Sequence, residues 1–299
     1  METIKNHEKF LGVVQFIHPG AEHRVDKNGW TPWNLTKHGR KYLAVNGRAI
    51  DSSNHCDSSV LFVWAEWEGP SRSIFDWPNK HGEYPSHLVV PQYPGHAKPI
   101  YGLQNTDPYI FGDHFKYTLC KQINKNGVSN FLARLQPGTL ILFGSNVKNS
   151  FVLDSAMVLS EVKVEHSLAN WTSVLSSCSD TYKAMTLEPM YFDKNIRPES
   201  RFTYYQGASH HTPFNKTFSY SPCIQETKLP QGFERPNISL PIVINQRLMM
   251  GQKRTQMSLS AIQECWLDTK AQVFDQDLCL GVEFDEPEKV QVPTYLWPH

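Results

Sequence analysis

Apolar residues fall in short runs along the first half of the chain, broken by proline, glycine and polar clusters. Leu11–Ile17 (LGVVQFI), ended by His18-Pro19-Gly20, reads as a buried strand followed by a turn. Lys41–Val45 is a weaker strand. Val60–Glu68 (VLFVWAEWE) is the strongest, and Gly69-Pro70 stops it. Alternation at period two puts Phe62, Trp64 and Glu66 on one face and Val63, Ala65 and Trp67 on the other. Thr139–Phe143 and Phe151–Val164 read as two further strands across the polar connection Gly144–Ser150. Phe115–Ile123 fits a strand or a helical turn, and Phe131–Leu135 runs into the turn Pro137-Gly138. Ser71–Pro99 is punctuated by proline, glycine and histidine, which predicts a long ordered loop around one short strand, Leu88–Val90.

In the second half, Trp171–Met185 has helical character although Ser and Thr are frequent. Arg201–Gln206 and Thr217–Ser221 are short β-like runs. Ile238–Ile244 contains Pro241 and reads as an edge strand or an extended segment. The clearest helix starts near Ser258, with Leu259, Ile262, Trp266, Val273 and Phe274 approximating one face, Ser258 and Ser260 as N-caps and Gly281 beyond its end. Strands do not alternate with helices, which argues against a Rossmann sheet. The expected class is α+β: a β-rich mixed sheet or partly open barrel with a few helices and long ordered loops. The expected organisation is one compact domain over residues 1–299, or a β-rich region over residues 1–165 followed by a mixed α+β region over residues 166–299.

Composition narrows the function classes. Aromatics make up 12% of 299 residues, with eight Trp, which fits a β-rich core or rings lining a pocket for a planar ligand. The 29 basic and 29 acidic residues cancel, so a whole-protein basic field for nucleic acid is absent and only a local cleft remains open. The six cysteines include no C-x-x-C pair, and most read as buried, reduced thiols. The polar N-terminus lacks an apolar signal core, and no run approaches the roughly 18 apolar residues of a membrane span. A cytoplasmic protein with no membrane partner is expected. No Walker loop, G-x-G-x-x-G, or H-x-E with P-C-x-x-C occurs, which argues against nucleoside-triphosphate, dinucleotide and zinc-deaminase chemistry.

Two polar loops carry the candidate chemistry: Gln104–His114 (QNTDPYIFGDH) and Gly207–Cys223 (GASHHTPFNKTFSYSPC). Pro108 bars its own nitrogen from a ladder and can hold the Asp107 carboxylate at a strand end, with Tyr109 offering a ring. Asn105–Tyr109 (NTDPY) resembles the G-Q-D-P-Y motif of uracil-DNA glycosylases. His211–Phe214 (HTPF) is similar to the same family's H-P-S-P-L segment. Asn105 and Thr106 stand in place of the family's Gly and Gln, and Thr212 in place of a proline. The resemblance implies a DNA glycosylase that flips a modified base and needs no metal or cofactor. Asp107 would stabilise the oxocarbenium-like sugar and position water, and His211 or His210 would donate to the departing base. Tyr109 with Trp64 or Trp67 would stack on the base, Asn105 and Phe111 would help line its pocket, and Phe214 would wedge the duplex. Such an enzyme acting on DNA with modified bases would fit antiviral defence by analogy. It requires Asp107 and His211, or His210, to border one pocket with at least one Trp or Tyr, on the order of 10 Å apart or less.

Leu135–Val164 resembles PUA-like domains of the EVE and ASCH types, which implies a second reading, a non-catalytic reader of modified bases. A third reading is a metal-dependent hydrolase built on His18, Glu22 and His23, a polar cluster at a strand end.

Overall fold

In the computed structural model the described residues are 9–35, 38–77, 85–97, 100, 102–124, 128–192, 196–244 and 251–297. Their strands, in chain order, are β1 (Gly12–Ile17), β2 (Trp30–Thr31), β3 (Arg40–Ile50), β4 (Cys56–Glu66), β5 (Ser71–Asp76), β6 (His87–Pro91), β7 (Lys116–Tyr117), β8 (Leu140–Val147), β9 (Ser150–His166), β10 (Phe202–Gly207), β11 (Ser221–Gln225), β12 (Gly251–Gln256) and β13 (Cys279–Phe284). They form two mixed sheets and no closed barrel. The first runs β12-β1-β8-β9-β10-β7, with β1 parallel to β8. The second runs β13-β11-β4-β3-β6-β5-β2, with β13 also paired to β3. The α+β, β-rich expectation holds.

Alternation explains how the sheets pack. On β3 and β4, Leu43, Val45, Leu61, Val63 and Ala65 enter the main core, joined by Trp67 beyond the strand. Their neighbours Tyr42, Ala44, Phe62 and Trp64 form a smaller cluster on the opposite face. In the first sheet Val14, Phe16, Ile141 and Phe143 share that main core, while Val13, Ile17, Leu140 and Leu142 face the other way. There the long helix Leu259–Phe274 covers them with Ile262, Trp266 and Val273. Ser258 caps the helix, its Oγ accepting from the Ala261 N–H as the sequence predicts. Leu259 stays exposed, and Thr269 takes a buried place on that face.

Three expectations change. Ser71–Pro99 holds two paired strands, β5 and β6, instead of one; residues 78–84 and 98–99 of that stretch lie outside the described set. Exposed Ile74 and Phe75 gave β5 no clean alternation to read. Trp171–Met185 is not one helix: a single turn, Trp171–Val174, is followed by a fresh start at Asp180, where the Ser179 hydroxyl accepts from the Tyr182 N–H. Residue 165 marks no boundary either. Strands β10, β11 and β12 pair with β9, β4 and β1, so the C-terminal region completes both sheets. No described helix is long and apolar enough to cross a membrane.

One buried imidazole sets a pH limit. His166, at the end of β9, lies 2.6 Å from both the Thr118 hydroxyl and the Tyr191 hydroxyl. Burial lowers its pKa from 6.5 to about 4. The folded state therefore binds fewer protons than the unfolded one between those values. The stabilisation is complete above pH 6.5 and is lost as pH falls towards 4. Denaturant unfolding is expected to show about 2 kcal/mol less stability from this group at pH 5 than at pH 7.5. A His166→Gln variant should lack that increment; an unchanged pH slope would contradict the assignment.

Candidate active site

The densest buried charge in the described residues gathers where the ends of β1, β3 and β4 meet β9. Each component has a local reason to be there. His18 follows the buried run of β1, and its ring meets Phe16 edge-on at 4.6 Å. Glu66 closes β4 and Glu68 lies just beyond, both carried inward by the apolar strand before them. Arg40 opens β3, cross-strand from Glu66. It donates to Glu66 Oε2 at 2.8 Å and to Asp154 Oδ2 of β9 at 2.7 Å, tying one sheet to the other. Arg235 backs Asp154 at 3.1 Å. The other oxygens are also held. Asn34 Nδ2 donates to Glu68 Oε2, and His38 Nδ1 lies 2.6 Å from Glu68 Oε1. Lys41 donates to the Gly69 carbonyl at 2.5 Å and to the Ser71 hydroxyl. A cavity of about 10 Å³, room for one water-sized group, borders Arg40, Glu66 and Asp154 together with the Ser155 and Ser221 hydroxyls, neither of which has a hydrogen-bond partner.

The electrostatics divide the acids. Burial would raise Glu66, but His18, Arg40 and His38 overcome it and hold the carboxyl well below its usual range. Burial raises Glu68, and the His38 contact only partly offsets it. Burial would lower His38; the two glutamates outweigh it and raise the imidazole to about 10. His18 is lowered by burial despite Glu66, so it stays neutral, and burial lowers Lys41 to about 7. Acids pushed in opposite directions in one cluster are what acid–base chemistry requires.

A nucleophile stands beside this cluster. Half-buried Cys120 has its Sγ 3.3 Å from His18 Nε2. The far nitrogen of the same ring, Nδ1, is 3.2 Å from Glu66 Oε2, an ion-pair distance without hydrogen-bond alignment. Thiol, imidazole and carboxylate thus lie in a row.

Asp107 serves this row from behind. It is fully buried, and its carboxylate accepts the N–H groups of Thr118, Leu119 and Cys120 at 3.1, 2.7 and 2.6 Å. Burial raises its pKa to about 7 in spite of those bonds. The following peptide, Asp107–Pro108, is cis. The three N–H bonds to the Asp107 carboxylate fix the turn that carries Cys120.

The other expected site residues are dispersed. His211 is exposed and pairs with Glu283 at 2.8 Å and Arg48 at 2.9 Å, beside a 410 Å³ cleft that Arg48 and Glu283 line. Arg48 lies eight residues along β3 from Arg40, roughly 26 Å of strand, whereas Asp107 touches Glu66 at the Arg40 end. The structure does not bring Asp107 and His211 onto one pocket. His210 packs edge-on against Phe218. Phe214 sits in a tight turn with Asn215 and Lys216 at positive φ, against Gly138. Tyr109, Phe111 and Trp67 are sealed in the core: the rings of Trp67 and Tyr109 meet Phe111 edge-on at 5.3 and 5.2 Å, and the Tyr109 hydroxyl donates to Glu286. Trp64 borders the small cavity but gives its Nε1–H to the Phe233 carbonyl. The Asn105 Nδ2 is buried without a partner. The expected metal group separates as well. Glu22 accepts from the Ser86 and His87 N–H groups, and His23 Nδ1 meets the Arg24 carbonyl, so only His18 of the three reaches the cluster.

Sequence reasoning missed His38, Arg40, Asp154 and Cys120. The usable signal was Glu66 and Glu68 inside a run otherwise fit for a core, since buried carboxylates require partners. Comparison with protein-family models, with characterised proteins and with solved structures finds no match for this chain, so its function is argued from this geometry alone.

Proposed function

We propose that the chain is a cysteine-nucleophile hydrolase or acyl transferase, with Cys120 as nucleophile, His18 as general base and Glu66 as the group that orients and charges the base. The observation that carries this reading is the Cys120–His18–Glu66 row, at 3.3 and 3.2 Å. Contacts of this kind are often long in a resting enzyme and tighten with substrate. Burial and the charges of Glu66 and Asp107 hold the thiol well above its usual range. The resting pair is therefore neutral thiol and neutral imidazole. As Sγ bonds to a carbonyl carbon, its proton passes to His18 Nε2 and the C=O pair moves to oxygen. Collapse expels the leaving group, which takes the proton back from the imidazolium. Water, with His18 again as base, then cleaves the thioester and restores the thiol. Glu66, an anion throughout, stabilises each imidazolium, the role a third member has in such rows. Asp107 is a positioning residue that keeps Cys120 in place.

The test is trapping. Incubation with a panel of activated esters, thioesters and amides, quenched in acid, should leave one acyl adduct on Cys120, located by peptide mass spectrometry among the six cysteines. Cys120→Ala should abolish the adduct and turnover and keep the fold. Acylation spread evenly over the cysteines, or turnover surviving Cys120→Ala, would refute the reading.

A further inference from the structure

The two glutamates of the cluster present their oxygens unequally. Glu66 Oε2 is held by Arg40 and faces His18; Glu68 Oε2 is held by Asn34. Both Oε1 atoms turn towards His38, whose Nδ1 lies 3.5 Å from that of Glu66 and 2.6 Å from that of Glu68. One donor atom from each of the three residues falls within 4.8 Å of the other two. Donors about 2.1 Å from one ion stand roughly 3–3.5 Å from one another. Asn34 and Arg40 act as outer groups that aim the carboxylates, as polar neighbours of metal ligands do. On its other side Glu66 is met by His18, 4% exposed, whose Nδ1 lies 3.2 Å from Oε2. Glu66 Oε1 also accepts the Asp107 N–H, at 3.3 Å.

We infer that His38, Glu66 and Glu68 form a binding site for a divalent transition-metal cation, and that its occupancy suppresses the Cys120 chemistry. The site stands by itself; the suppression rests on the thiol reading. One imidazole and two carboxylates suit Zn²⁺ or Mn²⁺ better than Mg²⁺ or Ca²⁺, which prefer all-oxygen shells. Three protein donors leave coordination positions open, and the 21% exposure of the His38 side chain marks the approach from solvent. A cation on Glu66 Oε1 would neutralise the charge that Glu66 offers His18. The imidazolium would lose its support, and thiol activation would slow.

The experiment uses the full chain stripped of metal. Calorimetric titration with MnCl₂ and with ZnCl₂ should show one saturable site, absent with MgCl₂ at the same concentrations. His38→Ala and Glu68→Gln should each weaken it at least tenfold, whereas His55→Ala, at an exposed pair with Asp57, should leave it unchanged. Circular dichroism checks that the variants fold, and His38→Gln provides a milder replacement. No saturable binding of either cation, or binding indifferent to His38 and Glu68, would overturn the site. In parallel, saturating Mn²⁺ should slow iodoacetamide labelling of Cys120 at least tenfold in the unaltered chain and not in His38→Ala. Equal labelling rates would overturn the coupling. Labelling that never depends on His18 would remove the thiol reading, while the calorimetric titration would still decide the metal site.

Discussion

Replacing Arg40 by methionine is expected to lower the unfolding free energy by about 3–5 kcal/mol. The guanidinium is fully buried and holds Asp154 of one sheet and Glu66 of the other. Methionine fills much of the same volume and leaves two buried carboxylates short of a counter-charge. Arg235 still reaches Asp154, and His18 and His38 still face Glu66, which keeps the loss within that range. Arg40→Lys should recover only a fraction, since an ammonium is a point charge and not a planar fork that serves two acids at once. Urea unfolding of the three proteins measures this. A change under about 1 kcal/mol for Arg40→Met would show that the pairing is not needed to hold the sheets together.

His18→Asn is expected to depress Cys120 acylation by roughly 10²–10⁴-fold, the usual contribution of a positioned base. The thiol sits well above its ordinary value of 9.0, so less than about 1% would be thiolate at pH 7 without help. Activation must come from His18, and asparagine cannot take the proton. Glu66→Gln should produce a smaller fall, because the base remains and only its orientation and charge support are lost. Single-turnover rates with an activated thioester separate the cases. Equal rates for His18→Asn and the unaltered chain would mean that Cys120 reacts by another route.

Much of the fold could be read from periodicity because the strands concerned are buried on both faces over most of their length. Leu11–Ile17, Val60–Glu68 and Phe151–Val164 each lie within or across an observed strand, and Trp64 and Trp67 divide between two clusters as alternation requires. The edges were not legible. Strand β12 (GQKRTQ) has no apolar residue, and it is a strand because β1 offers it a ladder. The site was partly legible: His18 and Asp107 were expected in other roles, and Glu66 and Glu68 were read as part of a strong strand. Cys120 and His18 are 102 positions apart, and Arg40 and Asp154 are 114, so no local spacing foretells those pairings. The proline after Asp107 pointed to a fixed carboxylate; that it would be fixed onto backbone N–H groups, and not onto a substrate, depends on a turn at 118–120 that only the tertiary structure places there.

The return of β12 to β1 and of β13 to β3 bears on how the chain is made. Arg40 leaves the ribosome long before the strand at Cys279–Phe284 that its own strand needs as a neighbour. At about 5–20 residues per second, that wait is roughly 10–50 s. During it β1 and β3 each lack a hydrogen-bonding neighbour, and unpaired strands invite association with other chains. Overproduction should therefore yield more soluble protein when translation of the last third is quick, or when a holding chaperone is abundant, with no change to the finished molecule.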